Sequence, residues 1–126
     1  MPAPKVKSSS KVLIVDDEEG IRESLKLILS DHYDLVATDS GEQALRLVEG
    51  DPAIALVLMD IKMPKVSGLD VLKAMKAKRP DLNVIMVTGY KTVETASEAA
   101  HLGASGYIIK PFKSEEILKT VQRNLA

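Results

Sequence analysis

The sequence predicts an α/β fold in which a doubly wound, five-stranded parallel sheet carries five helices. Three observations support this prediction. Apolar runs of strand length alternate five times with amphipathic runs of helix length. The strand-length runs are almost wholly apolar, which is typical of parallel strands covered on both faces. Strand and helix follow one another in strict order, and such units form parallel sheets with right-handed crossovers and helices on both faces.

Each element has its own signal in the sequence. The strands are predicted at residues 12–16, 33–38, 53–60, 83–88 and 106–110. The helices are predicted at residues 18–30, 40–50, 67–78 and 92–102, with a last helix that begins near residue 114. Ser40 followed by Gln43 is a capping-box pattern at the start of the second helix. Pro80 ends the third helix and Gly103 the fourth, and Ser114 is expected to cap the last.

Length and composition indicate one compact domain. The chain has 126 residues, of which 45% are hydrophobic. It has no cysteine, which excludes disulfides and thiol chemistry and is compatible with the cytoplasm. The net charge is −1, and no apolar run approaches the ~18 residues of a membrane span, so we expect no direct contact with nucleic acid or membrane. Residues 1–9 are expected to form a flexible N-terminal leader and residues 10–126 the domain.

Four of the five predicted strands end in a polar or charged residue. The first ends in Asp16 and Asp17, the third in Asp60, the fourth in Thr88 and the fifth in Lys110. The second strand ends without a comparable group. Ligands of such sheets bind beyond the carboxyl ends of the strands, where the strand order reverses. We therefore expect these side chains to converge at one edge of the sheet.

Several carboxylates at one edge favour a bound cation. Two like charges 4 Å apart repel by about 4 kcal/mol at an effective dielectric constant near 20. Oxygen ligands without cysteine or a nearby histidine favour Mg²⁺, which completes its shell with phosphate oxygens. A carboxylate can also act as a nucleophile and form an aspartyl-phosphate. Asp60 is the best candidate, because it ends the middle strand and enters a loop held by Pro64 and closed by Gly68.

Four segments make the sequence similar to a known family. LIVDDEEGIR, LVLMDIKMPKVSGLDVL, VIMVTGY and GYIIKPF together resemble the receiver domain of bacterial two-component response regulators, over about residues 10–126. The resemblance implies a flavodoxin-like strand order of 2-1-3-4-5. It also implies a phosphoacceptor that assists its own phosphotransfer and self-dephosphorylation, and that is otherwise not an enzyme.

The resemblance assigns roles to individual residues. Asp60 would accept a phosphoryl group from a phosphohistidine on a sensor histidine kinase or a histidine phosphotransfer protein. Asp17 and Asp60 would bind Mg²⁺ directly, together with the backbone carbonyl of Lys62, and Asp16 would act through water. Thr88 and Lys110 would contact the phosphoryl oxygens.

The resemblance also implies a conformational switch. Tyr107 lies where the family has an aromatic residue that turns inward as Thr88 moves. Pro111 follows Lys110 across a peptide bond that is often cis in the family. Phosphorylation would change strand 4, helix 4 and strand 5 and present a new surface to an effector domain or a partner protein. Helix 4, strand 5 and helix 5 could form a homodimer, and the helix near Glu18 would dock the kinase.

Three positions depart from the commonest pattern of the family. Ser67 precedes Gly68 where many members have aspartate, and it should still cap the third helix. Lys62 and Tyr90 lie two residues after Asp60 and Thr88, at positions that in the family modulate hydrolysis of the aspartyl-phosphate. A long cation and an aromatic ring could shield the phosphoryl group from water, so our hypothesis is slower self-dephosphorylation than in members with small or acidic residues at these two positions.

Some features of the sequence also fit other kinds of protein or no chemical role at all. Glu18 and Glu19 are expected to be charges at a helix start, without a chemical role. A flavodoxin-like FMN binder would need a phosphate loop in place of DDEE. An aspartyl-phosphate phosphohydrolase dependent on Mg²⁺ would usually carry an acid in place of Lys62 and a cap domain over the site. A receiver used only as an unphosphorylated interaction module remains open, although the complete set of acids, Thr88 and Lys110 disfavours it.

Overall fold

The computed structural model describes residues 8–125. It contains the strands β1 (Ser8–Val15), β2 (Tyr33–Thr38), β3 (Ile54–Met59), β4 (Asn83–Thr88) and β5 (Gly106–Ile109). The helices are α1 (Glu19–Leu29), α2 (Gly41–Gly50), α3 (Gly68–Lys78), α4 (Val93–His101) and α5 (Ser114–Leu125). All strand pairs are parallel and the sheet order is β2-β1-β3-β4-β5, which confirms the predicted fold class. No helix in this range could span a membrane.

The first strand begins earlier than predicted. β1 starts at Ser8, which pairs with Tyr33 of β2 across a shift in register. Two residues of the predicted leader, 8–9, therefore belong to the sheet, and residues 1–7 lie outside the described part of the chain. A polar SSSK stretch has no apolar pattern, so only its pairing identifies it as strand.

Three strands end one residue earlier than predicted. β1, β3 and β5 stop at Val15, Met59 and Ile109, so Asp16, Asp60 and Lys110 stand just beyond the strands. Their backbone N–H groups still donate to the neighbouring strands, to the carbonyls of Thr38 (3.2 Å), Val15 (3.1 Å) and Thr88 (2.8 Å) respectively. The sheet thus still holds the backbone of these three residues, although they lie beyond the ends of the strands.

Two apolar layers cover the sheet. Successive residues of a strand face opposite sides, so Leu13 and Val15 pack beneath α2 and α3 while Val12 and Ile14 pack beneath α1 and α5. Helix α4 differs from the others, because Ala99 is its one buried residue among those described. A single small side chain buries little apolar area, which leaves α4 weakly attached to the sheet.

The predicted helix caps are confirmed in part. The hydroxyls of Ser40 and Ser67 accept hydrogen bonds at the starts of α2 and α3, as predicted. The Gln43 side chain, however, accepts from the hydroxyl of Thr38 and does not complete the capping box. Ser114 is itself the first residue of α5 and so does not precede the helix as a cap would.

Candidate functional site

The predicted residues meet at the carboxyl edge of the sheet. Asp16, Asp60 and Thr88 are 1%, 5% and 0% exposed, and Lys110 is half-buried among them. Asp17, by contrast, is exposed. β1 and β3 are neighbours at the point where the chain reverses its direction of progress across the sheet, which is where open α/β sheets bind ligands.

Lys110 lies among three carboxylates. Its Nζ donates hydrogen bonds to Asp16 Oδ2 at 2.8 Å and to Asp60 Oδ2 at 3.2 Å. It also forms an ion pair with Glu18 Oε1 at 3.5 Å. Burial lowers the pKa of Lys110, but the hydrogen bond and charge of Asp16, with the charge of Asp60, outweigh it and raise the pKa overall. The ammonium therefore stays protonated, yet one positive charge faces several acids.

Asp16 is held on every side. Besides Lys110, its carboxylate accepts from the backbone N–H of Glu18 (2.9 Å), and its backbone carbonyl accepts from Arg22 Nη1 (2.8 Å). Its own N–H donates to Thr38, so each polar group of the residue has a partner. Burial nevertheless raises the pKa of Asp16, because it outweighs the hydrogen bond from Lys110.

Asp60 is held on one side only. Its Oδ2 accepts from Lys110, whereas its buried Oδ1 has no hydrogen-bond partner among the described residues. A buried oxygen without a partner costs about 1–3 kcal/mol or more, and a catalytic role or a bound ion is one of the explanations for such an atom in a folded protein. The backbone beside it is fixed, because Gly68 N–H donates to the Ile61 carbonyl at 2.7 Å.

Four carboxyl groups could hold a metal ion. One oxygen each from Asp16, Asp17, Glu18 and Asp60 lies within 4.8 Å of the others. Only oxygen donors are present in this group, and one of its residues, Asp60, has a buried oxygen, Oδ1, without a hydrogen-bond partner among the described residues. Both features fit a hard divalent cation such as Mg²⁺.

Glu18 was not predicted as part of this group. It was expected to be a helix-start charge without chemistry, but it precedes α1 and its carboxylate joins the acid cluster. Glu18 does stand at the start of α1, as its N-cap residue, and its lack of a chemical role stays a prediction, while Glu19 lies exposed in the first turn of α1. The cause is a tight turn in which the N–H of Glu18 bonds the Asp16 carboxylate. The spacing of two residues between Asp16 and Glu18 is the feature of the sequence that could have predicted this position.

Two cavities open above Asp60. One of about 290 Å³ is lined by Glu18, Asp60, Lys62, Thr88, Gly89, Tyr90 and Lys110. The other, of about 430 Å³, is lined by Asp17, Glu18, Asp60, Lys62, Met63 and Pro64. Lys62 and Tyr90 are both exposed and stand at the rim, where the sequence hypothesis requires them. The cavities give a small substrate direct access to Asp60.

Tyr107 connects the sheet to the loop before α4. Its hydroxyl donates to the backbone carbonyl of Tyr90 at 2.8 Å. Burial and the negative charge of Asp60 raise the pKa of Tyr107. The N–H of Tyr90 donates to the hydroxyl of Thr88 at 3.4 Å, so a short path of contacts joins the pocket to β5. The peptide bond between Lys110 and Pro111 is cis, as the resemblance implies.

Comparison with known proteins gives consistent matches. The family model described as "Response regulator receiver domain" matches residues 12–122. The response regulator protein FleR of Pseudomonas aeruginosa is 37% identical over 118 residues, which cover 92% of this chain and 24% of that protein. Sporulation initiation phosphotransferase F of Bacillus subtilis is 36% identical over 118 residues, which cover 93% and 94% of the two chains.

Solved structures give the same result. A CheY-like response regulator receiver domain protein from Methanospirillum hungatei superimposes with a TM-score of 0.88 at 33% identity, over 94% of each chain. The chain spans about a quarter of the length of FleR and of the regulatory protein AtoC of Escherichia coli.

Proposed function

The chain belongs to the response regulator receiver domains of two-component signal transduction, and on that basis we propose that Asp60 accepts the phosphoryl group. One observation carries the assignment. Asp60 Oδ1 is buried, has no hydrogen-bond partner among the described residues and belongs to a residue that lines both cavities. A carboxylate oxygen that no hydrogen bond engages, on a residue that lines a cavity, is suited to nucleophilic attack.

The transfer step forms one bond and breaks one. An Asp60 carboxylate oxygen attacks the phosphorus of a phosphohistidine, and the bond between phosphorus and the imidazole nitrogen breaks. The imidazole leaves with the electron pair of that bond and takes up a proton. The donor would be a sensor histidine kinase or a histidine phosphotransfer protein, and we therefore place the chain in the cytoplasm with its donor.

Lys110 and Thr88 are suited to stabilise the transferred group. The ammonium of Lys110 is already 3.2 Å from Asp60 Oδ2, and its raised pKa keeps it charged. Thr88 lines the same cavity, and its hydroxyl can donate to a phosphoryl oxygen. Preorganised donors of this kind stabilise developing charge without reorganisation.

The same edge would hold Mg²⁺. We propose that Asp17, Asp60 and the backbone carbonyl of Lys62 bind the ion directly and that Asp16 acts through water. When bound, Mg²⁺ supplies positive charge that neutralises the acids and the phosphoryl oxygens. Asp16, with all its polar groups in hydrogen bonds, fixes the geometry of this loop.

Phosphorylation would be transmitted through Tyr107. Its bond to the Tyr90 carbonyl ties β5 to the loop before α4, and α4 is held by the single buried Ala99 among its described residues. A movement of Thr88 toward a phosphoryl group would shift Tyr90 and change the surface of α4, β5 and α5. We propose this surface for an effector domain, a partner protein or a second copy, and α1 for kinase docking.

The proposal is tested by incubation with acetyl phosphate and Mg²⁺, followed by intact mass spectrometry. The wild type should gain one phosphoryl group as acetate leaves, and Asp60→Asn should gain none. Asp39→Asn is the matched control, because Asp39 follows β2 at the same edge of the sheet and is exposed. Its uptake should equal that of the wild type. No gain in the wild type would contradict the proposal and favour an unphosphorylated interaction module.

A further inference from the structure

Glu18 has a position that the proposed function does not use. Its carboxylate lies in the acid cluster with Asp16, Asp17 and Asp60, forms an ion pair with Lys110 and lines both cavities. Its neighbour Glu19 has the same charge but belongs to none of these sets among the described residues. The two glutamates thus differ in location and not in chemistry.

The side chain of Glu18 has no evident structural task. It stands at the N-cap position of α1 without forming a side-chain capping bond. The backbone carries the local structure instead, since the N–H of Glu18 binds the Asp16 carboxylate and its carbonyl accepts from the N–H of Arg22 at 3.1 Å. The side chain of Glu18 is 64% exposed. Exchange of this side chain should therefore leave the turn intact.

The negative charge of Glu18 lies where it can affect the binding of a cation. Four carboxyl groups lie together here, the ammonium of Lys110 forms ion pairs with three of them, and Asp60 Oδ1 has no hydrogen-bond partner among the described residues. A further carboxylate within 4.8 Å of the others deepens the negative potential that a divalent cation enters. Because the energy of a charge in a potential scales with its valence, the effect is larger for a divalent than for a monovalent cation.

We propose that Glu18 determines the affinity and charge selectivity of the cation site. From the rim of the pocket its negative charge strengthens the binding of a divalent cation and its preference over monovalent ions. This inference rests on the proposed magnesium site, but it concerns a residue outside the ligand set assigned there. It predicts that Glu18 and Glu19 are unequal in their effect on Mg²⁺ binding.

Titration calorimetry with MgCl₂ at ~0.1 M ionic strength tests the proposal on the unphosphorylated protein. Glu18→Gln should weaken Mg²⁺ binding about three- to tenfold, which is the range expected for removal of one charge close to a divalent ion in a wet site. Glu18→Lys reverses the charge, and we expect it to weaken Mg²⁺ binding by a further factor of similar size beyond that of Glu18→Gln. The matched controls Glu19→Gln and Glu19→Lys should each change the dissociation constant less than about twofold.

The possible outcomes separate the inference from the proposed function. Absence of Mg²⁺ binding to the wild type would overturn both. Binding to the wild type with equal losses in the Glu18 and Glu19 variants would overturn the role of Glu18 and leave the magnesium site standing. Thermal unfolding without Mg²⁺ checks the fold, and Glu18→Gln should match the wild type, because it removes the repulsion from the other acids together with the ion pair to Lys110. A graded loss in a variant with unchanged unfolding supports the proposal.

Discussion

Both ends of the sheet carry a lysine paired with an aspartate, and the two pairs have opposite electrostatics. At the amino end, Lys11 Nζ lies 2.7 Å from Asp51 Oδ2, and the side chains are 35% and 31% exposed. At the carboxyl end, Lys110 Nζ lies 2.8 Å from Asp16 Oδ2, and the side chains are 13% and 2% exposed. The distances are nearly equal, so the difference lies in the surroundings.

In the pair at the amino end, both carboxylate oxygens of Asp51 have hydrogen-bond partners. The other oxygen of Asp51 accepts from the N–H of Ala53 at 3.0 Å, and Arg79 donates to the carbonyls around it. The hydrogen bond from Lys11 therefore lowers the pKa of Asp51. At the carboxyl end, burial raises the pKa of Asp16 in spite of its lysine. One end is a satisfied structural contact, and the other retains an imbalance that a ligand can relieve.

The largest expected effect is the loss of stability caused by a substitution at Gly68, which lies beside Asp60 at the carboxyl end of the sheet. A Cβ atom there would lie 2.0 Å from the carbonyl oxygen of Asp60 and 2.8 Å from the Cα of Ile61. Both are backbone atoms, so the turn that positions Asp60 must move. We expect Gly68→Ala to lower the free energy of unfolding by about 3 kcal/mol or more, as measured by urea denaturation.

The matched control for this substitution is Gly20→Ala. Gly20 lies in α1, and a Cβ atom there would meet nothing within 4 Å. Alanine is favoured over glycine in helices, so this variant should gain about 0.5–1 kcal/mol. Equal stability of Gly68→Ala and the wild type would show that the turn at Asp60 is pliable and does not hold the carboxylate in place.

A smaller effect is expected at the rim of the pocket. Lys62 and Tyr90 line the cavity above Asp60, and their removal should admit water to the phosphoryl group. We expect Lys62→Asn and Tyr90→Ala each to shorten the lifetime of the phosphorylated protein about three- to tenfold, or about 1 kcal/mol of barrier. The decay is followed by intact mass after removal of acetyl phosphate.

The control for the rim is Lys65→Asn. Lys65 is exposed in the same loop, outside the two cavities, and its φ of 72° suits asparagine. Its decay rate should equal that of the wild type. Unchanged decay in both rim variants would show that these residues do not shield the phosphoryl group.

The smallest effect is expected when aspartate is replaced by asparagine at either end of the sheet, in the separate variants Asp51→Asn and Asp16→Asn. The folded-state pKa of Asp51 is lowered from 3.8, so its contribution to stability is present above pH 3.8 and is lost as pH falls through the lowered pKa. The folded-state pKa of Asp16 is raised from 3.8, so stability instead falls as pH rises from 3.8 through the raised pKa. Without Mg²⁺ at pH 7, Asp51→Asn should destabilise the protein and Asp16→Asn should stabilise it.

Urea unfolding measured from pH 3 to pH 7 checks these signs. Asp51→Asn should reduce the loss of unfolding free energy that accompanies a fall in pH below 3.8. Asp16→Asn should remove the part of the unfolding free energy that is lost as pH rises from 3.8 toward 7. The same sign for both substitutions at pH 7 would mean that burial does not distinguish the two pairs.

Much of the fold and of the site follows from local sequence rules. Alternation of apolar and amphipathic runs predicts the five-stranded parallel sheet. The rule that ligands meet strand ends brings Asp16, Asp60, Thr88 and Lys110 together, because parallel strands share a carboxyl edge. These four residues can be identified from the ends of the predicted strands, without any knowledge of the side-chain contacts.

Other features depend on the backbone path, which the sequence pattern does not encode. The turn after Asp16 brings Glu18 into the cluster, although the same letters suit a solvated helix start. Ser8 joins β1 through its pairing with Tyr33 and not through hydrophobicity. The unpartnered oxygen of Asp60 follows from the positions of all its neighbours together.

The central claim, that the unsatisfied end of the sheet is a phosphoacceptor site centred on Asp60, has a direct test. The protein is incubated with acetyl phosphate, with and without Mg²⁺, and the acyl phosphate is reduced by sodium borohydride, which converts a phosphorylated aspartate to homoserine. Peptide mass spectrometry then locates the homoserine. We predict that it replaces Asp60 alone and that its yield depends on Mg²⁺. Homoserine at another aspartate, or equal yield without Mg²⁺, would contradict the account.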